Sequence, residues 1–372
     1  MSNAHWTHLS EARIQMNDAT KILISPEISV REAIAVINSG GMQIALVVDD
    51  SHHLLGTVTD GDIRRALLKG LTLEHPVEQI FNREPFVVHA NISQETVSQL
   101  MNLNRLRQIP VVDSEHRLVG IQLWKEFTGR QQRDNPMVIM AGGKGLRLRP
   151  HTEYCPKPML PVAGKPILEH IIERGRNDGF GHFIVAIQHL GHIIEKYFGD
   201  GSRLGVKIDY LHETEPLGTA GALSLLHPPD SPILVTNGDV LTNIHYRDIL
   251  DFHLNNSAMA TMAVRQYEWQ HPLGVVQADG IDLVGFEEKP VYRTQVNAGI
   301  YVLDPASLEL LPKSERFDMP ALFVKLKEAG LRTLVFPMHE VWLDVGKPED
   351  YMYSETLEFL QSSTDSSQTK SK

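Results

Sequence analysis

The chain has 372 residues, of which 42% are hydrophobic and 22% are charged, and this length predicts two to three globular domains. Its 35 basic and 46 acidic residues give a net charge of −11, which argues against a nucleic-acid-binding protein. Apolar runs are too short for a membrane span, no leader is recognised, and Cys155 is the sole cysteine, so we expect a cytoplasmic protein without disulfides.

Two breaks in the sequence pattern divide the chain. Residues 129–136 are polar and end in a proline, which is typical of a linker. Residues 361–372 are almost entirely polar, cannot bury enough surface to fold, and are predicted to be disordered. We therefore predict an N-terminal segment (1–19), a first domain (20–128), the linker, a second domain (137–360) and the tail.

The first domain contains an internal repeat at an ungapped offset of about 64 residues. Val47 and Val48 recur as Val111 and Val112, and the surrounding pattern recurs with them. Each copy predicts a helix, an apolar strand, a polar turn and a second strand, and Ser29 starts a capping box in the first helix. Because one copy alone would expose an apolar face, we expect both copies to pack as one domain.

This repeat resembles a tandem pair of cystathionine-β-synthase (CBS) domains, an α+β fold. The resemblance implies an adenine-nucleotide ligand whose ribose is held by a hydroxyl and a carboxylate in the motif Gly-x-x-Thr/Ser-x-x-Asp. Residues 56–62 fit the motif and give these roles to Thr59 and Asp62. The alternative is that both side chains only cap the following helix. CBS pairs commonly pack against a second pair, which implies a homo-oligomer.

The second domain opens with an apolar strand, residues 137–140, that runs into a glycine-rich loop. Glycines directly after a strand let backbone N–H groups approach phosphate oxygens, and Lys144 and Arg147 add positive charge there. A dinucleotide-binding Rossmann motif needs a third glycine that opens a helix, but Leu148 stands there and a proline-rich run follows. The dinucleotide alternative therefore fails.

The proline-rich run fixes one lysine. Pro156 and Pro158 flank Lys157, which restricts its backbone and holds its ammonium in one direction. Pro166 then marks the start of a helix whose apolar positions keep the spacing of a buried face.

The block from Ala141 to Pro166 resembles the signature of the nucleotidyltransferases that make nucleotide sugars, Gly-Gly-x-Gly-Thr-Arg-Leu followed by Pro-Lys-Pro, although Leu146 replaces the Thr. The resemblance extends over residues 136–355 and implies a Rossmann-like, mixed-sheet (GT-A-like) α/β domain. The resemblance also implies a reaction in which an NTP and a sugar 1-phosphate give an NDP-sugar and pyrophosphate. The site roles that it implies are catalysis by Arg147 and Lys157, nucleotide binding by Ala141, Gly142, Gly143, Gly145, Glu213, Gly218 and Thr219, and sugar-phosphate binding by Gly274, Glu288, Lys289 and Asn297.

Two carboxylates follow apolar strands. Asp239 comes shortly after the apolar run 233–235, and Asp344 ends a second run in the same manner. The carboxyl ends of parallel strands are where open α/β sheets bind ligands. Two carboxylates together with phosphate oxygens suit Mg²⁺, so with the family resemblance we expect Asp239 and Asp344 to hold this ion.

Glu213 bears on the choice of base. Thymidylyl and uridylyl members of the family often carry glutamine here, because a pyrimidine N3–H flanked by acceptors needs a partner that both donates and accepts. Guanine presents two adjacent donors, N1–H and the N2 amine, which a carboxylate accepts. Glu213 therefore favours GTP.

The sugar is inferred from the domain combination together with Glu213. A CBS pair joined to this transferase resembles the bacterial guanylyltransferases of nonulosonic (legionaminic) acid synthesis, which use glucosamine 1-phosphate. Mannose-1-phosphate guanylyltransferase and glucose-1-phosphate thymidylyl- or uridylyltransferase stay open as alternatives, as does a catalytically inactive nucleotide sensor.

Overall fold

The structure is a computed structural model, and it describes residues 13–15, 19–90, 92, 94–104, 106–123, 132–227, 229–313, 315–354 and 356–357. The chain divides into two compact units, residues 1–129 and 130–372. The predicted disordered tail lies outside the described residues, as do most of the N-terminal segment and the first part of the linker. The predicted domain limits stay predictions. Among the described residues, each helix is too short or too polar to cross a membrane.

The first unit consists of two small sheets with helices between their strands. The elements are β1 (Arg13–Gln15), β2 (Leu23–Ile24), α1 (Val30–Gly40), β3 (Ile44–Val48), β4 (Leu54–Thr59), α2 (Asp60–Leu68), β5 (Val88–His89), α3 (Gln94–Leu103), β6 (Gln108–Val112) and β7 (Leu118–Leu123). One sheet has the strand order β2-β3-β4 and the other β1-β7-β6-β5, and each combines a parallel pair with an antiparallel hairpin.

The two hairpins of this unit repeat each other closely, which confirms the predicted repeat. The hairpin β3/β4 has a β-bulge between Val47 and Val48, and β6/β7 has one between Val111 and Val112. A β-bulge re-aims a strand and increases its twist. The same irregularity at the same repeat position therefore gives both copies the same local shape.

An aspartate closes each hairpin turn in the same way. Asp49 and Asp113 each accept hydrogen bonds from the backbone N–H groups two and four residues further on, at 2.8–2.9 Å. These backbone hydrogen bonds are the main cause that lowers the pKa of both carboxyls. Leu46 and Leu54 share a buried cluster with Leu118 of the second copy, so the copies pack together as predicted. The capping box of Ser29 is also present.

The second unit is built on a seven-stranded mixed sheet. Its elements are β8 (Met137–Met140), β9 (Pro161–Val162), β10 (Lys165–Pro166), α4 (Ile167–Asn177), β11 (His182–Ile187), α5 (Gly191–Phe198), β12 (Lys207–His212), α6 (Gly218–Gly221), β13 (Ile233–Asn237), β14 (Val240–Thr242), α7 (Tyr246–Asn255), β15 (Ala260–Gln270), β16 (Val275–Asp279), β17 (Asp282–Glu287), β18 (Val291–Leu303), α8 (Met319–Glu328), β19 (Thr333–Met338), β20 (Trp342–Asp344) and α9 (Pro348–Ser354).

The strand order of this sheet is β12-β11-β8-β13-β18-β15-β19, and only β18 runs antiparallel to its neighbours. The chain moves from β8 to β11 on one side and later to β13 on the other, so β8 is the topological switch point. Ligands of open α/β sheets bind outside the carboxyl ends of the strands at such a point. The observed architecture confirms the predicted mixed-sheet α/β fold.

Helices cover both faces of the sheet. Met137 and Ile139 lie in one buried cluster with residues of α4, whereas Val138 lies in a second cluster with Leu322 of α8. This alternation follows from the two-residue period of a strand. The helix after Pro166 begins at Ile167, and its predicted apolar face is buried.

Two smaller β-structures extend from the main sheet. β14 pairs with β20 as an antiparallel ribbon. β15 and β18 continue as a two-stranded arm up to the pair Gln270 and Val291, and the hairpin β16/β17 follows at its end. The ribbon and the arm both carry residues that the sequence assigns to the site.

Candidate active site

The glycine-rich loop leaves the carboxyl end of β8. It starts in register with the sheet, because the N–H of Ala141 donates to the carbonyl of Ala186 at 2.8 Å. Gly145 has a φ of 60°, and a Cβ there would lie 3.2 Å from the Cβ of Lys157. A Cβ on Gly143 would meet nothing within 4 Å. The loop is therefore packed at Gly145 and open at Gly143, as an anion cradle requires.

Arg147 lies in the 3-10 turn Leu146–Leu148 that follows this loop. Its side chain is exposed, and one of its terminal nitrogens is 3.5 Å from the position that a Cβ on Gly346 would occupy. Since Gly346 lies two residues after Asp344, the guanidinium reaches the acidic cluster described next. No helix of α type follows the loop directly, in accord with the rejection of the dinucleotide motif.

Lys157 is the centre of this cluster. It begins a 3-10 turn after Pro156 and is buried, with only 8% of its surface exposed. Its Nζ donates to the carboxylate of Asp239 and lies 3.8 Å from Oδ1 of Asp344. A buried ammonium is costly unless carboxylates pair with it. One cation and two anions from distant parts of the chain are thus held together.

Asp239 reaches the cluster from the turn that follows β13. The N–H of Gly238 donates to the carbonyl of Met140 at 2.9 Å, and a Cβ on Gly238 would lie 2.8 Å from that oxygen. Only glycine lets this turn lie so close to the end of β8. The sequence prediction that Asp239 stands at the carboxyl edge of the sheet is confirmed.

Asp344 reaches the cluster by another route, and here the sequence-based expectation was wrong. Asp344 does not end a strand of the main sheet. It ends β20, which pairs antiparallel with β14, so that Asp344 lies opposite Val240. Since Val240 directly follows Asp239, the ribbon itself places the two carboxylates side by side. The N–H of Val345 donates to the carbonyl of Asp239 and fixes this register.

The electrostatics of Asp344 reflect its surroundings. Burial raises the pKa of its carboxyl, and the neighbouring carboxylate of Asp239 raises it further, while Lys157 and Arg147 oppose the shift. Its Oδ1 is buried and, among the described residues, accepts no hydrogen bond. Two adjacent carboxylates, one of them with such an oxygen, match the oxygen ligands that Mg²⁺ prefers. These residues therefore fit the predicted metal ion.

A second group of predicted residues surrounds Gly142. Glu213 follows β12, and its Oε1 is 2.7 Å from the point where a Cβ on Gly142 would lie. Its Oε2 accepts from the N–H of Leu217 at 2.9 Å. Burial raises the pKa of the Glu213 carboxyl, and the Leu217 hydrogen bond opposes that shift. The structure thus brings the predicted base-reading residue to the glycine-rich loop.

Gly218 and Thr219 pack against the start of α8. Thr219 Oγ1 accepts from the N–H of Met319 at 2.8 Å, and its own N–H donates to Asp318 Oδ1. A Cβ on Gly218 would lie 2.5 Å from Asp318 Oδ1. The contacts of both residues hold their segment against α8, and the nucleotide-binding role assigned to them stays a prediction.

The predicted sugar-phosphate residues lie on the β-arm and at its base. Glu288 and Lys289 are exposed in the turn between β17 and β18. A Cβ on Gly274 would lie 3.0 Å from Oε2 of Glu288, which brings this pair together. Asn297 lies in β18, donates to the hydroxyl of Tyr301 at 2.7 Å and accepts from the N–H of Gly299. The roles assigned to these residues stay predictions.

Two residues that the sequence analysis missed also lie at the carboxyl edge. Gln188 directly follows β11, and Asn237 ends β13. The side-chain oxygen of each is buried and, among the described residues, accepts no hydrogen bond. A signal was present in the sequence, because each is a polar residue at the end of an apolar run.

In the first unit, Thr59 and Asp62 meet at the junction of β4 and α2. The carboxylate of Asp62 accepts from the N–H and the hydroxyl of Thr59, at 2.9 and 2.6 Å. It also pairs with Arg65 at 2.5 Å. This arrangement caps the helix, in agreement with the alternative that Thr59 and Asp62 only cap it. Their ligand-binding role stays a prediction.

Comparison with protein families matches both units. The nucleotidyl transferase family matches residues 137–359, and the CBS domain matches residues 14–69 and 77–121. The crystal structure of a Bacillus anthracis protein assigned as a glucose-1-phosphate thymidylyltransferase has a TM-score of 0.50 at 20% identity, covering 61% of this chain and 95% of that one. This likeness concerns the fold.

Curated relatives are similar over part of the chain. A UTP–glucose-1-phosphate uridylyltransferase from Synechocystis sp. is 34% identical over 235 residues, 58% of this chain and 61% of the relative. A mannose-1-phosphate guanylyltransferase from Mycobacterium tuberculosis is 36% identical over 225 residues, which cover 58% of this chain and 62% of the relative. The catalytic subunit beta of mannose-1-phosphate guanylyltransferase from Danio rerio is 33% identical over 234 residues, which cover 60% of this chain and 64% of the relative. The chain thus spans about six tenths of their length.

We predict that Asp344→Asn makes the protein more stable near neutral pH while it weakens the site. A raised carboxyl pKa means that the folded state favours the protonated form, so this group stabilises folding below about pH 4 and loses that contribution as pH rises through its raised pKa. Asparagine cannot ionise. In urea unfolding with a chelator present, the advantage of the variant over wild type should grow as pH rises from about 4 to 7.

The matched control is Asp350→Asn, which removes a nearby acid outside the cluster. A loss of stability in Asp344→Asn that is equal at pH 4 and pH 7 would contradict the electrostatic reasoning.

Proposed function

Since the chain belongs to the nucleotidyl transferase family, we propose that it converts an NTP and a sugar 1-phosphate into an NDP-sugar and pyrophosphate. The observation that carries this proposal is the Lys157 ammonium, buried between Asp239 and Asp344 at the edge of the sheet where the glycine loop opens. The names of the curated relatives, which are uridylyl- and guanylyltransferases acting on glucose or mannose 1-phosphate, support the same reaction.

The chemistry needs positioned charge more than acid–base groups. An oxygen of the sugar phosphate attacks the α-phosphorus in line, a P–O bond forms, and the bond to pyrophosphate breaks. The backbone of the open loop around Gly143 receives the phosphates. We assign Arg147 to the departing β- and γ-phosphates, Lys157 to the α-phosphate and Lys289 to the incoming phosphate.

Mg²⁺ is the proposed metal. Asp239 and Asp344 would hold it, and it would supply positive charge to phosphate oxygens. The Asp344 carboxyl binds a cation in its ionised form, and its raised pKa moves that ionisation to higher pH. Lys157 lies between the two carboxylates and offsets their charge.

GTP is the proposed nucleotide, and glucosamine 1-phosphate is the proposed sugar substrate. The carboxylate of Glu213 beside Gly142 supports guanine, because it is an acceptor and guanine presents two adjacent donors, N1–H and the N2 amine. The sugar rests on the domain combination. Mannose 1-phosphate with GTP and glucose 1-phosphate with dTTP or UTP are the alternatives, and the names of the curated relatives favour mannose or glucose.

The CBS pair is the proposed regulatory unit. Thr59 and Asp62 stand at a strand-to-helix junction, where a ribose would replace their mutual hydrogen bond. We propose an adenine nucleotide as ligand, a cytoplasmic location and a homo-oligomeric state.

The proposed function is tested by pyrophosphate release with Mg²⁺. GTP, UTP, dTTP, CTP and ATP are each combined with the 1-phosphates of glucose, mannose, glucosamine and N-acetylglucosamine. We expect turnover with GTP and one preferred sugar. In the same assay Arg147→Ala should lose about two orders of magnitude in rate, since an aimed cation contributes about 3 kcal/mol to a phosphoryl transition state.

Lys196→Ala is the control, because it removes an exposed cation of α5 to which the proposal assigns no role. Retained activity in Arg147→Ala would remove Arg147 from the mechanism. A strong signal with another nucleotide would overturn the choice of GTP. No turnover with any pair, also with AMP or ATP present, would overturn the enzyme and leave the nucleotide sensor.

Regulation is tested by calorimetry with AMP and ATP on wild type and Asp62→Ala. We expect one adenine-nucleotide site per chain and its loss in the variant, because the carboxylate would accept hydrogen bonds from the ribose hydroxyls. Glu74→Ala, an exposed acid of the same unit, is the control. Equal binding by wild type and Asp62→Ala would contradict the assignment.

A further inference from the structure

Gln188 has a polar side chain without an assigned role in the proposed reaction. It directly follows β11, the strand next to the switch-point strand β8. Its Oε1 is buried and, among the described residues, accepts no hydrogen bond. A buried acceptor without a donor reduces stability, so its presence at the edge where such sheets bind ligands indicates that a ligand uses it.

Gln188 and Glu213 converge on the same point of the glycine loop. The Cβ of Gln188 is 3.3 Å, and Oε1 of Glu213 is 2.7 Å, from the position that a Cβ on Gly142 would occupy. The N–H of Glu213 donates to the carbonyl of Ile187, the residue before Gln188, at 3.0 Å. The carboxyl ends of β8, β11 and β12 thus bring both side chains to one place.

The carboxylate of Glu213 is partly committed to the protein. Its Oε2 accepts from the N–H of Leu217, so Oε1 is the oxygen that faces the loop. Guanine offers three hydrogens along this edge, one on N1 and two on the exocyclic N2 amine. If only Oε1 of Glu213 faces the base, part of the hydrogen-bonding edge of guanine has no acceptor from Glu213. The side chain of Gln188 begins 3.3 Å from the same position and carries a further acceptor, its Oε1.

We propose that Gln188 is a specificity-determining residue that accepts a hydrogen bond from the exocyclic amine of guanine, beside Glu213. This inference rests on the proposed function, because it presumes a guanine nucleotide at the loop. It extends that function by a residue that the family resemblance did not indicate. Gln188 thereby distinguishes guanine from hypoxanthine, which has N1–H but lacks the amine.

The test compares two nucleotides on two proteins, the wild type and one variant. kcat/KM is measured for GTP and ITP with wild type and with Gln188→Met, which keeps the length of the side chain without its polar atoms. We expect wild type to prefer GTP over ITP by about 10- to 100-fold, since a site built to bond an amine discriminates against its absence. In Gln188→Met the preference should fall to within about threefold.

The matched control is Gln132→Met, an exposed glutamine that precedes β8 at the opposite edge of the sheet and should keep the wild-type ratio. An unchanged GTP-to-ITP ratio in Gln188→Met, including the case in which both nucleotides lose rate equally, would overturn the inference while the proposed function stands. If Gln188→Met fails to fold, Gln188→Glu replaces it and should keep the ratio above tenfold. Loss of the ratio in that variant would also overturn the inference. A wild type that prefers UTP or dTTP would overturn the guanine proposal itself.

Discussion

The ion cluster of Lys157, Asp239 and Asp344 is the interaction on which the architecture of the second unit depends. Two carboxylates this close together repel each other, and a buried ammonium is costly alone, but the three charges offset one another. The cluster joins a proline-flanked turn, the loop after β13 and the end of β20. The antiparallel ribbon β14/β20 places the second carboxylate, that of Asp344, beside Asp239.

Several polar side chains at the carboxyl edge of the sheet have a buried oxygen without a hydrogen-bond donor among the described residues. Gln188, Asn237 and Asp344 each have a buried oxygen that accepts no hydrogen bond among the described residues, and all three belong to this edge or to the ribbon beside it. Unsatisfied polar groups reduce stability, and proteins keep them mainly where a ligand uses them. The same edge carries the open glycine loop. The unpaired oxygens thus lower the stability of the fold at the carboxyl edge, where the proposed function places phosphate, base and metal.

Much of this site could be predicted from the sequence, because its motifs are local. The glycine loop after an apolar strand, the proline-flanked Lys157 and the carboxylate after β13 all depend on a few adjacent residues. The position of Asp344 could not be predicted correctly, since it depends on an antiparallel pairing with residues about a hundred positions away. Gln188 was missed for a similar reason, because its proposed role depends on its position near Glu213, which follows the next strand of the sheet. The repeat of the first unit was predictable down to the turn, whose aspartates close both hairpins alike.

Whether the ion cluster is a metal-binding centre or a structural ion pair is tested most directly by Mn²⁺ binding, followed by electron paramagnetic resonance with a non-hydrolysable GTP analogue present. We expect wild type to bind Mn²⁺ at this site and both Asp239→Asn and Asp344→Asn to bind it at least about 10-fold more weakly while staying folded, because each removes a charged oxygen ligand. Asp350→Asn should bind it like wild type. Unchanged Mn²⁺ affinity in both cluster variants would contradict the assignment and make the cluster a structural ion pair.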